Sequence, residues 1–390
     1  MGWTYLSREA LARAKAQMDE ESMGVRDEMG FLLLHQRYAD RFFPGTSVLH
    51  SRARYAFFVP WLFEDLAGRT GHEATKALSE KETELAGRLK RAGELQVIGG
   101  RVYPKPSSQP PSTVYWNALA VWGILLLRPN GRTPSRAQVH QLLSRAAAPV
   151  DDDGQPLLAY LPPFVPLPPR PANWGAETIT LQLTNAEAAF LRARLSQLRG
   201  GQGQQLSLLA RLVRSEAPAP SQMWANEVLV IAGADQPSLL RAQQAASLAG
   251  VGRAIYDALL EGIIATHDSR DSSTRHRDHL ATVVEEHGAI ASRLDVDALE
   301  ADIGSLPPKL RNVLRGTQDW LRSGAREWAR LGEIYSVAEA RKGVRARLAM
   351  TPNGRARRLE WSSDEHGLAS PLHYRWGQVS TLLNDLAYAQ

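Results

Sequence analysis

Three aspartates stand where their neighbours can give a carboxylate chemical work: Asp385, Asp268 and Asp271. Asp385 closes a segment that begins His373-Tyr374-Arg375-Trp376 and ends Asn384-Asp385. On a helix Trp376 and Asn384 share a face, and Arg375 and Asp385 lie on roughly the same side. A carboxylate beside an aromatic ring and a guanidinium can stabilise an oxocarbenium-like sugar or activate water for attack on it. The plainer alternative is a helix-terminal Asp bonded to a buried Arg. Asp268 and Asp271 open the polar stretch DSRDSSTRHRDH (268–279), where His267, His276, His279 and Asp278 supply further donors. No H-E-x-x-H or comparable spacing is present, so this stretch reads as a solvated loop, with no metal expected.

Binding groups accompany the carboxylates. Thr46 or Ser47 can cap a helix whose free N–H groups face an anion, and Arg52, Arg54 and Tyr55 follow within it. An Arg beside an aromatic can grip phosphate while the ring stacks a base. Tyr115, Trp116 and Asn117, with Trp122, can build a pocket that stacks a planar group and reads its hydrogen-bonding edge; a buried aromatic core is the competing explanation. The segment from 341 to 360 holds Arg341, Lys342, Arg345, Arg347, Arg355, Arg357 and Arg358, with Glu360 as its only acid. Such a local excess favours nucleic-acid backbone contacts over a face that merely meets solvent.

The elements that must position these groups belong to a chain of 390 residues, long enough for two or three domains. Hydrophobic residues make up 44% and charged residues 22%, which excludes wholesale disorder. With no cysteine, disulfide scaffolds, thiol catalysis and cysteine-ligated zinc are excluded. No apolar run is long enough to span a bilayer, and no signal-peptide core opens the chain, so a cytoplasmic protein without membrane contact is expected. The net charge of +5 favours an anionic partner. Of 46 basic residues 39 are arginine, a ratio that codon bias explains as well as function does, although bias does not explain clustering.

Proline punctuation at 149–176 predicts a stiff linker between an N-terminal part, 1–148, and a larger C-terminal part, 177–390. The expected fold class is mainly α with small β-hairpins. In the first part helices are expected at 8–18, 47–66, 79–93 (from a Ser79-x-x-Glu82 capping box) and 112–127, with a hairpin at ELQVIGGRVYP (94–104); helix, hairpin and helix suggest a winged-helix-like unit. In the second, ETITLQLT reads as a strand and Thr184 caps a helix through Arg199. Further helices follow at about 205–215, 221–232, 236–265, 280–292, 307–323 and 324–347. RARLAMTPNGRARRLEW reads as a basic hairpin turning at Pro352-Asn353-Gly354, and a last helix runs from Arg375 to Tyr388. Neither a G-x-x-x-x-G-K-[ST] loop nor a G-x-S-x-G elbow occurs, so no nucleotide cofactor is expected.

Leu248-Ala249-Gly250-Val251-Gly252 superficially matches the hairpin of helix-hairpin-helix proteins, whose DNA glycosylases carry a catalytic Asp a little downstream, near the distance of Asp268 and Asp271. The same run reads more simply as one helix with closely packed small residues. Gly2-Trp3, FFPGTSVLHSRARYAFFVPW, PSTVYWNALAVWGI, LQLTNAEAAFL and HYRWGQVSTLLNDL, in this order along nearly the whole chain, resemble an uncharacterised bacterial family of phage-defence loci. One branch of it resembles DNA glycosylases that excise glucosylated hydroxymethylcytosine from phage DNA and leave abasic sites. That resemblance implies double-stranded phage DNA as partner, other defence proteins beside it, and no cofactor. It supplies no list of catalytic residues. Chemically, base excision requires a flipped nucleotide between apolar walls, basic groups on the distorted backbone and a carboxylate at the sugar. With only seven lysines, a monofunctional enzyme is expected rather than a lyase. A non-enzymatic DNA-binding subunit of a defence system is the competing expectation.

Overall fold

The computed structural model describes residues 29–144, 162–201, 205–270 and 273–390. Its architecture is mainly α, with a single two-stranded antiparallel sheet among the described residues, Arg199–Gly200 paired with Gln205–Leu206. The chain forms two compact units, each assembled from segments distant in sequence. One comprises Gln222–Tyr374 with the segment that ends at Arg41; the other comprises Phe42–Ser221 with Arg375–Gln390. Their segments alternate along the sequence, whereas the division at 149–176 follows chain order.

The first unit is built on the helix Gln236–Thr266, which is buried along most of its length because small and apolar residues occupy every side of it. The run Leu248–Gly252 is continuous helix, the simpler of the two readings. Its glycines serve close packing: a Cβ on Gly250 would stand 3.0 Å from the backbone N of Pro371, and one on Gly252 2.5 Å from the Phe31 ring. Helices Arg275–Ala291, Val296–Ile303, Pro308–Arg322 and Gly332–Glu339 pack around it. Asp295 caps the second of these through the N–H groups of Asp297 and Ala298.

The basic hairpin is corrected, because Pro352–Leu359 is a helix. Thr351 accepts the Gly354 N–H at 3.2 Å and Pro352 occupies the first helical position, where its missing N–H costs nothing. Gly354 is required there, since a Cβ would meet the Ala349 carbonyl oxygen at 2.1 Å.

In the second unit the helix Tyr55–Asp65 is almost entirely buried, with Gly71–Arg91, Asn185–Leu195 and Trp376–Ala387 as its companions in the unit. Thr184 does cap Asn185–Leu195, with Glu187 completing a capping box. The helix expected over 47–66 starts only at Tyr55, after turns, and the one over 112–127 breaks into Pro111–Val114 and Trp116–Val121. Ser79 lies inside Gly71–Arg91 and caps nothing. Residues 94–104 form successive turns without a strand, so a winged-helix-like unit would have no wing. In ETITLQLT, Ile179, Leu181 and Leu183 alternate into the core, but no partner strand completes a ladder. The described part of the proline-rich segment is a strap, not a spacer. Leu126 donates to Pro163 O at 2.8 Å, Val165 donates to Ile124 O at 3.0 Å, and Arg170 pairs with Glu64 and Asp65. The rest of that segment and the helix expected at 8–18 lie outside the described residues.

Candidate nucleic-acid interface

The segment from Ala340 to Glu360 belongs to the first unit and is held from behind. Arg358 is 1% exposed, and its guanidinium donates to both oxygens of Asp268, Nε at 2.7 Å and Nη2 at 2.8 Å. Its Nη1 donates to the carbonyls of Arg347 and Ala349 at 2.6 and 2.9 Å, which binds the helix Pro352–Leu359 to the loop before it. Glu339, fully buried, accepts the N–H groups of Arg347 and Leu348 and the Tyr256 hydroxyl. Breaking a buried, bidentate pair of this kind costs about 3–5 kcal/mol, so Arg358 is an anchor and its placement as a phosphate contact is corrected.

The other face points outward. Arg345 and Arg355 are exposed, and Arg357 makes an exposed pair with Glu360 at 2.8 Å, worth at most about 1 kcal/mol. The Arg358 guanidinium holds the Asp268 carboxyl below the usual carboxylate range, and Arg355 Nε stands 3.9 Å from its Oδ1. An ionised carboxylate therefore lies at the base of an arginine face. Both of its oxygens are engaged by Arg358, and its side chain is 6% exposed. Asp271 lies outside the described residues.

Behind the same segment, Trp361, Ser363 and His366 are tied to the long helix. His366 Nε2 faces Asp257 at 3.3 Å, Trp361 Nε1 donates to His366 Nδ1 at 2.8 Å, and Ser363 donates to Glu261 at 2.5 Å. Burial lowers the His276 imidazole below its ordinary range, and its Nε2 lies 3.1 Å from Ser363 O. Among the described residues, no group of three or more His, Cys, Asp and Glu side chains is placed to hold a metal ion.

The remaining predicted residues sit mainly in the second unit, and most face inward. Asp385 accepts Arg52 Nε at 2.8 Å and the Ala53 N–H at 2.7 Å; burial pushes its carboxyl up against these favourable contacts. It joins the terminal helix Trp376–Ala387 to the turn before Tyr55–Asp65, through an arginine that is half-buried. Arg54 is buried and donates to Glu187 and to Thr180 O. Arg375 donates to Thr46 O at 2.7 Å, and Trp376 packs on Phe43 at 6.0 Å. Ser47 accepts the Leu49 N–H at 3.2 Å and caps no helix. The Tyr55 hydroxyl accepts the Ile98 N–H at 3.0 Å.

Tyr115 donates to Arg52 O at 2.8 Å, and its ring stacks on His50 at 4.3 Å and 11°. His50 thus occupies the position that a planar ligand would take. The cavity beside it, lined by Thr46, Ser51, Arg52, Trp122 and Gln378, is about 10 Å³, the size of a water and not of a nucleobase. Trp116 donates to Pro134 O at 3.0 Å and Asn117 is exposed. Tyr374, in the first unit, is buried and donates to Ala242 O at 2.9 Å.

The structure therefore joins Asp268, Arg355 and Arg358 in one site and places Asp385 with Arg52 in another. Sequence reasoning missed the exposed apolar side chains Val344, Met350 and Leu359 among the arginines. It also gave Glu82 the wrong partner: this buried carboxyl accepts the Ser112 N–H at 2.7 Å. No helix among the described residues is long and apolar enough to cross a membrane. Comparison with curated proteins finds no match, and comparison with solved structures finds none. The whole chain, residues 1–390, does match one family, described as "Family of unknown function (DUF6361)", and the protein belongs to it.

Proposed function

We propose that this protein binds DNA through the outward face of residues 340–360. The observation that carries the reading is the anchoring of one arginine, Arg358, so that Arg345, Arg355 and Arg357 project from a rigid support with Glu360 as the only neighbouring acid in the segment. Planar guanidinium forks suit phosphate oxygens, and a supported loop loses less entropy when it meets them. Fluorescence anisotropy with a labelled duplex tests it: binding that weakens steeply with salt is expected, and no binding at low salt would end this reading.

A second reading adds chemistry to the same face, namely excision of a bulky, glucosylated cytosine in antiviral defence, as the family resemblance implies. Asp268 favours it, because an ionised carboxylate beneath phosphate-binding arginines suits an oxocarbenium-like sugar. The double engagement of that carboxylate by Arg358 favours the competing role of a DNA-binding subunit without chemistry. Glucosylated phage DNA and unmodified DNA, each incubated with the protein and then treated with alkali, separate the two. Selective strand breaks in the glucosylated DNA are the expected result of excision; equal absence of breaks in both DNAs removes it.

A further inference from the structure

Three apolar side chains interrupt the arginine face and stand well out into solvent: Val344 is 64% exposed, Met350 59% and Leu359 63%. Each sits at a defined point of the backbone. Val344 follows Gly343, whose φ of +57° favours glycine, at the kink of the 3-10 turn Ala340–Arg345. Met350 precedes the Thr351 cap and follows Ala349, whose carbonyl Arg358 holds. Leu359 lies one helical turn after Arg355 on the exposed face of Pro352–Leu359. The turn and the helix pack against each other, which brings together the segments that carry these apolar and basic groups.

Phosphate oxygens offer nothing to a methyl group, and the edges of stacked bases offer little. Unstacked bases offer broad apolar faces, and side chains such as Leu, Met and Val gain contact only where the stack is opened. We infer that this face recognises DNA whose base stack is interrupted, with Val344, Met350 and Leu359 pressing on exposed base faces while Arg345, Arg355 and Arg357 hold the flanking phosphates. The inference rests on the DNA-binding reading and adds the form of DNA preferred. Charge complementarity selects this occupant. The forks are arginines suited to bidentate phosphate contact, and the eight-residue helix lacks the aromatic residues and the length with which interfacial helices enter a lipid surface.

The test compares the full-length protein on an intact duplex, on the same duplex with a three-nucleotide bulge, and on phosphatidylserine-containing vesicles. Parent protein is expected to bind the bulged duplex at least about tenfold more tightly than the intact one. The variant V344S/M350S/L359S, altered only at exposed positions, is expected to lose that preference and keep its affinity for intact duplex. Equal binding of bulged and intact duplex by the parent overturns the inference and leaves the DNA reading standing. A preference that survives in the serine variant overturns it as well. Vesicle binding that the serine variant loses, with binding to both DNAs unchanged, assigns the face to lipid and overturns it too. Failure of the parent to bind any DNA sinks the DNA reading itself. The parent's own preference is measured first, and that outcome does not depend on how well a variant folds.

Discussion

Glu82 illustrates what a single buried carboxyl does to this protein. Burial raises its pKa from 4.5 to about 7, although the Ser112 N–H favours the anion. Between these two values the folded state binds more protons than the unfolded chain, so stability falls as pH rises through that window, by about 3 kcal/mol in all. Glu82→Gln keeps an acceptor for Ser112 and carries no charge. Its stability relative to the parent is expected to grow from near zero at about pH 4 to about 3 kcal/mol at about pH 8. Urea midpoints across that range measure the difference, and a difference independent of pH refutes the account. His50 has the opposite sign: burial lowers it from 6.5 to about 3, so its contribution is lost as pH falls below 6.5. Local pattern marked Glu82 as half of a capping box with Ser79, and its actual partner, Ser112, is thirty residues away. The same blindness explains Arg52, Arg54 and Tyr115. An arginine beside an aromatic is visible in sequence, but whether Glu187 or Asp385 has already claimed it is decided by long-range packing.

Helices were legible from apolar spacing and caps, as Thr184 and the terminal helix Trp376–Ala387 show, because both signals are local. Hairpins were not. Thr-Pro-Asn-Gly satisfies a turn rule and also a cap followed by a first-turn proline; the contacts of Arg358 with Asp268 and Ala349 select the helix. Glycines in Gln236–Thr266 were ambiguous for a similar reason, since their purpose lies in what approaches them. Gly250→Ala gains about 1 kcal/mol of helix propensity but drives a methyl group into the backbone of Pro371, and overpacking costs about 1–3 kcal/mol. A net loss of up to about 2 kcal/mol is expected. Gly262→Ala, whose Cβ would stand 3.4 Å from the Trp328 ring, is expected to be neutral or slightly stabilising. Thermal midpoints of the two variants check this, and equal midpoints would mean that the Pro371 approach yields freely.

At the scale of the whole molecule, composition and contact tell different stories. Proline punctuation divides the chain in order because it sees only neighbours, while the two units recruit segments from both ends of the chain. Net charge is equally coarse. It is +5 with 39 arginines, yet Arg54, Arg241 and Arg358 are committed to Glu187, Asp302 and Asp268 inside the units. What an anionic polymer meets is the set of arginines left at the surface, and each phosphate they neutralise releases condensed counterions. The slope of log binding constant against log salt should therefore fall by about 0.9 for each such contact removed. R345A/R355A/R357A removes two exposed arginines and a half-buried one without touching the Arg358 anchor, so a slope shallower by about 3 is expected on duplex DNA. Arg54→Ala, at a position 3% exposed, is expected to lower stability and leave the slope unchanged. An unaltered slope in the triple variant would mean that the face between 340 and 360 meets only solvent, and the DNA-binding proposal would lose the observation on which it stands.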